Sequence, residues 1–272
     1  MSATSIMPYS TTNRVLLQLP GDVLSAMRPY LTRVRLVFGQ VLIEAGSASE
    51  HVFFPEVGVV SLVAGTSETR PGVQVAMVGR EGMVGALALL GPAAPNFVSA
   101  VSQIPGPALR ISVHDLKRLF EQYAPLRDAC MMFFQTLIAQ TMQNAAYNAQ
   151  RSLSDRCVRW LLMTDERVDR GELPITHEAL SRILGVRRAG VTVVASALQE
   201  EGLIRVSRGR ITILNRAGLE RLAGDFNGSP DANRELATAR DRHPPVQPSM
   251  QASIQPGIPP NVQATYVPLG AA

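Results

Sequence analysis

The chain has 272 residues, 46% of them apolar, 18% charged and 5% aromatic, which is enough for one or two ordinary cores. Its 26 basic and 22 acidic side chains leave +4, too mild to mark a polyanion binder, and its two cysteines are too few for a zinc ribbon, a four-thiolate iron–sulfur site or a disulfide scaffold. No apolar run reaches the ~18–20 residues that span a bilayer, and MSATSIMPYSTTNR lacks the form of a secretory signal, so a cytoplasmic protein with no membrane partner is expected.

From Val34 to Ile111, short apolar runs such as VRLVFGQVLIEAG and HVFFPEVGVVSLVAG are punctuated by Gly or Pro, the pattern of an antiparallel sandwich or barrel. Arg33, Arg35 and Gln40 alternate with Val34, Leu36 and Val41, as in strands with one wet face. After Ser112, a possible N-cap, His114 to Glu121 reads as a short helix, and Pro125 opens a much longer one. Along it Leu126, Cys130, Phe133, Leu137, Gln140, Asn144 and Tyr147 follow heptad spacing, while Met131, Phe134, Ile138, Thr141 and Ala145 line a second face. A helix apolar on two faces is either a core helix or one that packs its own domain on one side and a second protomer on the other. The second reading puts the heptad residues at a dimer seam, with Gln140 and Asn144 fixing register. Cys130 reads as a small buried hydrophobe rather than a redox switch.

From Pro174 the chain reads PITHEALSRILGVRRAGVTVVASALQEEGLI. Thr176 caps a helix with Ala179, Leu180, Ile183 and Leu184 on one face, and Gly185 ends it. A second helix then buries Val191, Val194, Ala195 and Leu198. Two helices joined by a short glycine turn form a helix-turn-helix. Arg187, Arg188, Ala189, Thr192, Val193 and Ser196 face outward on the second helix, and Thr176 and His177 open the first; these are the expected DNA contacts. Leu203 to Val206, the turn SRGR and Ile211 to Leu214 form a wing with Arg208 and Arg210 at its tip. Residues 182–221 carry eight Arg against three Glu, more than the whole net charge. Arginine suits phosphates and guanine edges, although a GC-rich genome gives the same bias.

These residues resemble the Crp/Fnr family of bacterial transcription regulators. SLSDRCVRWLLM, the helix-turn-helix and RGRITILNR are similar to its DNA-binding half; GQVLIEAG, FFPEVGVVSLV and VGREGMVGALALL are similar to its cyclic-nucleotide-binding-type β-roll. The resemblance implies an α+β fold, with an N-terminal antiparallel, jelly-roll-like β-roll over residues 15–122, a long dimerisation helix over 123–150 and a winged helix-turn-helix over 151–223, while the Pro-rich composition of 224–272, with no apolar period, reads as a disordered tail. It also implies a homodimer on a near-palindromic operator, with double-stranded DNA as partner and RNA polymerase as a further one for an activator. In the catabolite activator branch an Arg-Glu pair and a second Arg read the site. Here Arg188 stands first, with Ala189 and Val193 at the other two positions, so a different operator is expected.

The effector pocket implied by the resemblance falls at Gly85, Ala86, Leu87, Asn96 and Phe97. A Gly-Glu pair and an Arg-Ser or Arg-Thr pair hold the cyclic nucleotide in the family, and both are missing at those positions, so a cyclic nucleotide is not expected. Residues 1–40 contain no Cys, against an iron–sulfur cluster, and His51 and His114 lack the partners a metal enzyme requires, so no cofactor, metal or catalytic residue is assigned. The competing reading is a small-molecule-binding module whose winged helix makes protein contacts instead of DNA contacts.

Overall fold

The computed structural model describes residues 11–65, 72–91, 96–168 and 171–224. The segment expected to be a disordered tail lies, from residue 225 on, outside the described residues. Among those residues no helix is long and apolar enough to cross a membrane.

Alternating apolar side chains build two antiparallel sheets that enclose one core. Strands β1 (Thr32–Leu36), β7 (Gly106–Ser112) and β3 (His51–Pro55) form the first, in the order β1-β7-β3; β2 (Val41–Ile43), β6 (Ser99–Ile104), β4 (Val59–Ala64) and β5 (Val73–Val78) form the second, in the order β2-β6-β4-β5. Arg33 and Arg35 lie exposed on β1, an edge strand, where Arg35 is paired with Pro107. The turns joining β3 to β4 and β6 to β7 lie backbone on backbone: a Cβ at Gly58 would collide with the Ile104 carbonyl, and one at Gly106 with that of Val57. Two short N-terminal helices, α1 (Arg14–Leu17) and α2 (Gly21–Met27), add Val15, Leu16, Val23 and Met27 to this core. Buried Asn13 caps α1 through its side-chain oxygen and donates to the Pro55 and Gly82 carbonyls, tying the entry of the chain to the roll.

Helix α3 (Val113–Gln122) opens on the expected N-cap, since the Ser112 hydroxyl accepts from the Asp115 amide. Helix α4 (Ala124–Gln150) then runs along the roll. Here the structure corrects the expected dimer seam. Leu126, Cys130 and Phe133 are buried in the core of their own roll, with Leu137 packed against it, and a Cβ at Gly82 would collide with the Phe133 ring. Gln140 accepts from the Met77 amide of β5, and Asn144 donates to the Val75 carbonyl. Tyr147 lies under the guanidinium of Arg159. All seven heptad residues therefore face the chain's own β-roll and the domain that follows, because heptad spacing marks a straight contact seam without saying whose. The second stripe divides: Phe134 is buried in the roll's core, whereas Met131 and Ile138 are exposed, Ile138 to 54%, and Met142, outside that stripe, is 69% exposed beside them.

Helix α5 (Leu153–Val168), α6 (His177–Leu184), α7 (Arg188–Glu200) and α8 (Arg216–Ala223) enclose a second core around Trp160, Leu161, Leu180, Val191, Ala195, Leu198 and Leu219, which Val59, Met77 and Ile104 of the roll also join. A three-stranded sheet completes the unit, in the order β8 (Glu172–Leu173), β10 (Arg210–Ile213), β9 (Ile204–Ser207). The sequence pattern indicated β9 and β10 alone, since β8 is only two residues long. Between the cores, Arg167 of α5 meets Glu81 of the roll at 2.7 Å (Nε to Oε1). The expected arrangement of antiparallel β-roll, long helix and winged helix-turn-helix is the one observed.

Candidate nucleic-acid interface

Thr176 caps α6 by accepting from the Ala179 amide, and Leu180, Ile183 and Leu184 bury its inner face. Gly185 then turns the chain with φ +65°, in the left-handed region that suits glycine. Its amide donates to the Arg182 carbonyl and that of Val186 to Ser181, closing the turn within three residues. Arg187 flanks α7, whose first turn has no side-chain cap, and the Gly190 amide donates to the Arg187 carbonyl. Val191, Ala195 and Leu198 anchor α7, with Val194 packed beside them. Gly190 admits Leu153 of α5 close to the helix, where a Cβ would stand 2.9 Å from its Cδ2.

Arg187, Arg188, Ala189, Thr192, Val193 and Ser196 are all exposed on this unit. His177 departs from expectation: it is partly buried between the helices, its Nδ1 3.1 Å from Thr192 Oγ1. The Thr192 hydroxyl also lies within hydrogen-bond reach of the Arg188 carbonyl, at 3.1 Å, and buried Nε2 has no hydrogen-bond partner among the described residues. Burial, and then the nearby Arg188 charge, hold the His177 pKa below its ordinary value. His177 thus lies beside Thr192 between the two helices, partly open to solvent.

The wing hairpin turns at Arg208 and Gly209, and Gln199 of α7 fixes it by accepting from the Val206 amide at 2.7 Å, a contact with no sequence signal. Arg208 is exposed, whereas Arg210 pairs with Glu172 at 3.1 Å. Arg182 pairs with Glu178, and Arg216 with Asp165, Glu166 and Glu220, which locks α8 onto α5. Arg187, Arg188, Arg205, Arg208 and Arg221 have no carboxylate partner among the described residues; the first two open α7 and the next two lie on the wing hairpin.

The expected effector-pocket residues do not converge in this way. Gly85 precedes a 3-10 helix over Ala86–Leu89, and its φ of +89° lets it lie against the His51 carbonyl. Ala86 is buried in the roll's core, Leu87 is exposed, and Phe97 is 87% exposed. Asn96 donates to the Ser47 carbonyl and to Ser49, bracing a loop.

A Crp-like helix-turn-helix domain matches residues 155–222, and a cyclic nucleotide-binding domain matches 33–123. The chain is 25% identical over 191 residues to the global nitrogen regulator of Synechococcus elongatus, covering 66% of this chain and 85% of that protein. Among solved structures, FixK2 from Bradyrhizobium japonicum superposes with a TM-score of 0.60 at 14% identity over 71% of this chain and 96% of that one. A Crp/Fnr family transcriptional regulator from Thermus thermophilus gives 0.58 at 21% identity over 72% and 100%. With both halves of the architecture matched, and the exposed arginines on the half that contacts DNA in such proteins, this chain belongs to the Crp/Fnr family and is a DNA-binding transcription regulator.

Proposed function

We propose that the protein works as a homodimer on a near-palindromic operator, each protomer laying α7 in a major groove. The observation that carries this reading is the exposed, carboxylate-free pair Arg187 and Arg188 at the uncapped start of α7. Arg188 grips guanine in bidentate fashion, worth about 1–3 kcal/mol of discrimination, while Ala189 and Val193 touch thymine methyls. Thr192 and Ser196 lie on the same face, and Arg208 holds phosphate from the wing. The exposed apolar line of α4 through Met131, Ile138 and Met142 supplies the protomer contact, and symmetry sets the half-sites about 34 Å apart. The protein acts in the cytoplasm, and as an activator it would contact RNA polymerase. Gly85 and Ala86 offer no carboxylate for a ribose, so the roll serves an effector other than a cyclic nucleotide, or none.

Footprinting of bound genomic sites, followed by anisotropy titration on the recovered operator and on random duplex, tests the reading. Arg188→Ala should erase the preference for operator, whereas Arg208→Ala should weaken both duplexes alike and flatten the salt dependence. Equal losses on both duplexes for Arg188→Ala would overturn the assignment of α7. Absence of salt-sensitive DNA binding would favour a winged helix devoted to protein contacts.

A further inference from the structure

Outside the roll, between edge strand β1 and the winged helix unit, lies a cleft of about 820 Å³. Small-molecule sites commonly occupy roughly 300–1,000 Å³, with apolar walls and a few directed polar groups. This cleft has that make-up. Pro105 and Pro107 form its floor, and Val168 and Pro174 face them from the other domain. The floor is stiff, because the Gly58 and Gly106 contacts lock the two turns beneath it and the prolines fix their own φ. A preformed surface loses little freedom when a ligand settles on it.

Charge gives the cleft its sign. Arg33, Arg35 and Arg210 line it against a single lining carboxylate, Glu172, among the described residues. Arg33 reaches Glu56 at 2.9 Å, outside the lining, while Arg35 has no carboxylate or hydrogen-bond partner among the described residues. The Arg210–Glu172 pair is half-exposed on both sides, so an arriving anion competes for it readily.

We propose that this cleft binds a small organic anion, with a phosphate or carboxylate on Arg35 and Arg210 and an apolar body on the proline floor. Such a ligand bridges the roll and the wing. By drawing Arg210 from Glu172 to itself it ties β1 to β10, and so fixes the wing relative to the roll. The consequence for DNA rests on the wing reading above; the binding itself does not.

The test uses the full chain and 1-anilinonaphthalene-8-sulfonate, an anion on an apolar body, with uncharged N-phenyl-1-naphthylamine as control. Fluorescence titration should show one saturable sulfonate site, competed by pyrophosphate or citrate. Loss of a charge-assisted hydrogen bond in Arg35→Ala should weaken it by about tenfold or more, while Arg35→Lys keeps part of the affinity and Arg118→Ala, remote from the cleft, keeps all of it. No saturable site in the wild type, an unchanged affinity in Arg35→Ala, or equal binding of the neutral naphthylamine would each overturn the proposal. Anisotropy on random duplex DNA, measured separately, should be unchanged by Arg35→Ala, so failure of the cleft and failure of the DNA reading give different results.

Discussion

Glu81 is the counter-charge that lets Arg167 sit inside the molecule, and Glu81→Gln should destabilise the fold severely. The Arg167 side chain is 1% exposed and that of Glu81 12%, with Nε and Oε1 2.7 Å apart. Arg167 also donates to the Met163 carbonyl at 2.6 Å, while its Nη2 has no hydrogen-bond partner among the described residues. Removing one member of a buried pair commonly costs about 3–5 kcal/mol, because the other charge stays behind without compensation. The Met163 contact survives the substitution, which places the expected loss near the lower end, about 3 kcal/mol. With a urea m-value of about 3 kcal/mol/M, that lowers the unfolding midpoint by roughly 1 M. Trp160, the single tryptophan, is buried in the α5–α7 core and reports this transition by fluorescence, with far-UV circular dichroism following the whole chain. The double variant Glu81→Leu/Arg167→Met replaces both charges by apolar groups and should recover much of the loss. A midpoint for Glu81→Gln within about 0.2 M of the wild type would refute the reasoning, as would a double variant at least as unstable as the sum of its parts.

Three further outcomes follow from geometry already described. Ile138→Glu places a charge on the exposed stripe of α4, so sedimentation should show monomer where the wild type is dimeric, with operator affinity lost in step; a dimeric Ile138→Glu protein would exclude that face. Arg188→Ala should raise the His177 pKa toward its ordinary value without fully restoring it, because burial is the larger cause; titration of the imidazole proton by NMR reads this directly. The native state favours neutral His177, so its contribution to stability is present above the unfolded-state pKa and fades as pH falls through the lower folded one; Arg188→Ala narrows that window. Burial pushes both cysteine thiols up to about 12, so neither Cys130 nor Cys157 should react with Ellman's reagent at pH 8 until urea unfolds the chain. Rapid modification of either thiol in the native protein would contradict their placement.

The helix-turn-helix was legible because each of its parts has a local cause: a Thr176 cap, a left-handed Gly185 and apolar stripes of helical period on both sides. The β-roll was legible through alternation and turn residues. The inner and outer faces of α4 were not, because Leu126, Cys130, Phe133 and Leu137 satisfy one seam and Met131, Ile138 and Met142 another. Which seam meets the chain's own sheet depends on contacts more than sixty residues away in sequence, such as those of Gln140 with Met77 and Asn144 with Val75. Arg210 was placed on the wing correctly, but its carboxylate partner comes from β8, a strand too short to leave a pattern. The approach of His177 to Thr192, fifteen residues on, likewise leaves no local pattern.

The amides of Gln140 and Asn144 do for β5 what a neighbouring strand would do. β5 is the last strand of its sheet, and an open edge with bare backbone donors and acceptors invites a foreign strand. Here the Met77 N–H and the Val75 carbonyl are occupied by side chains one helical turn apart on α4, while Asn144 also accepts from Arg159 of α5 at 2.9 Å. Displacing α4 would therefore break both contacts and leave the Met77 N–H and the Val75 carbonyl bare at the end of the sheet, which makes these two side chains a guard on that edge.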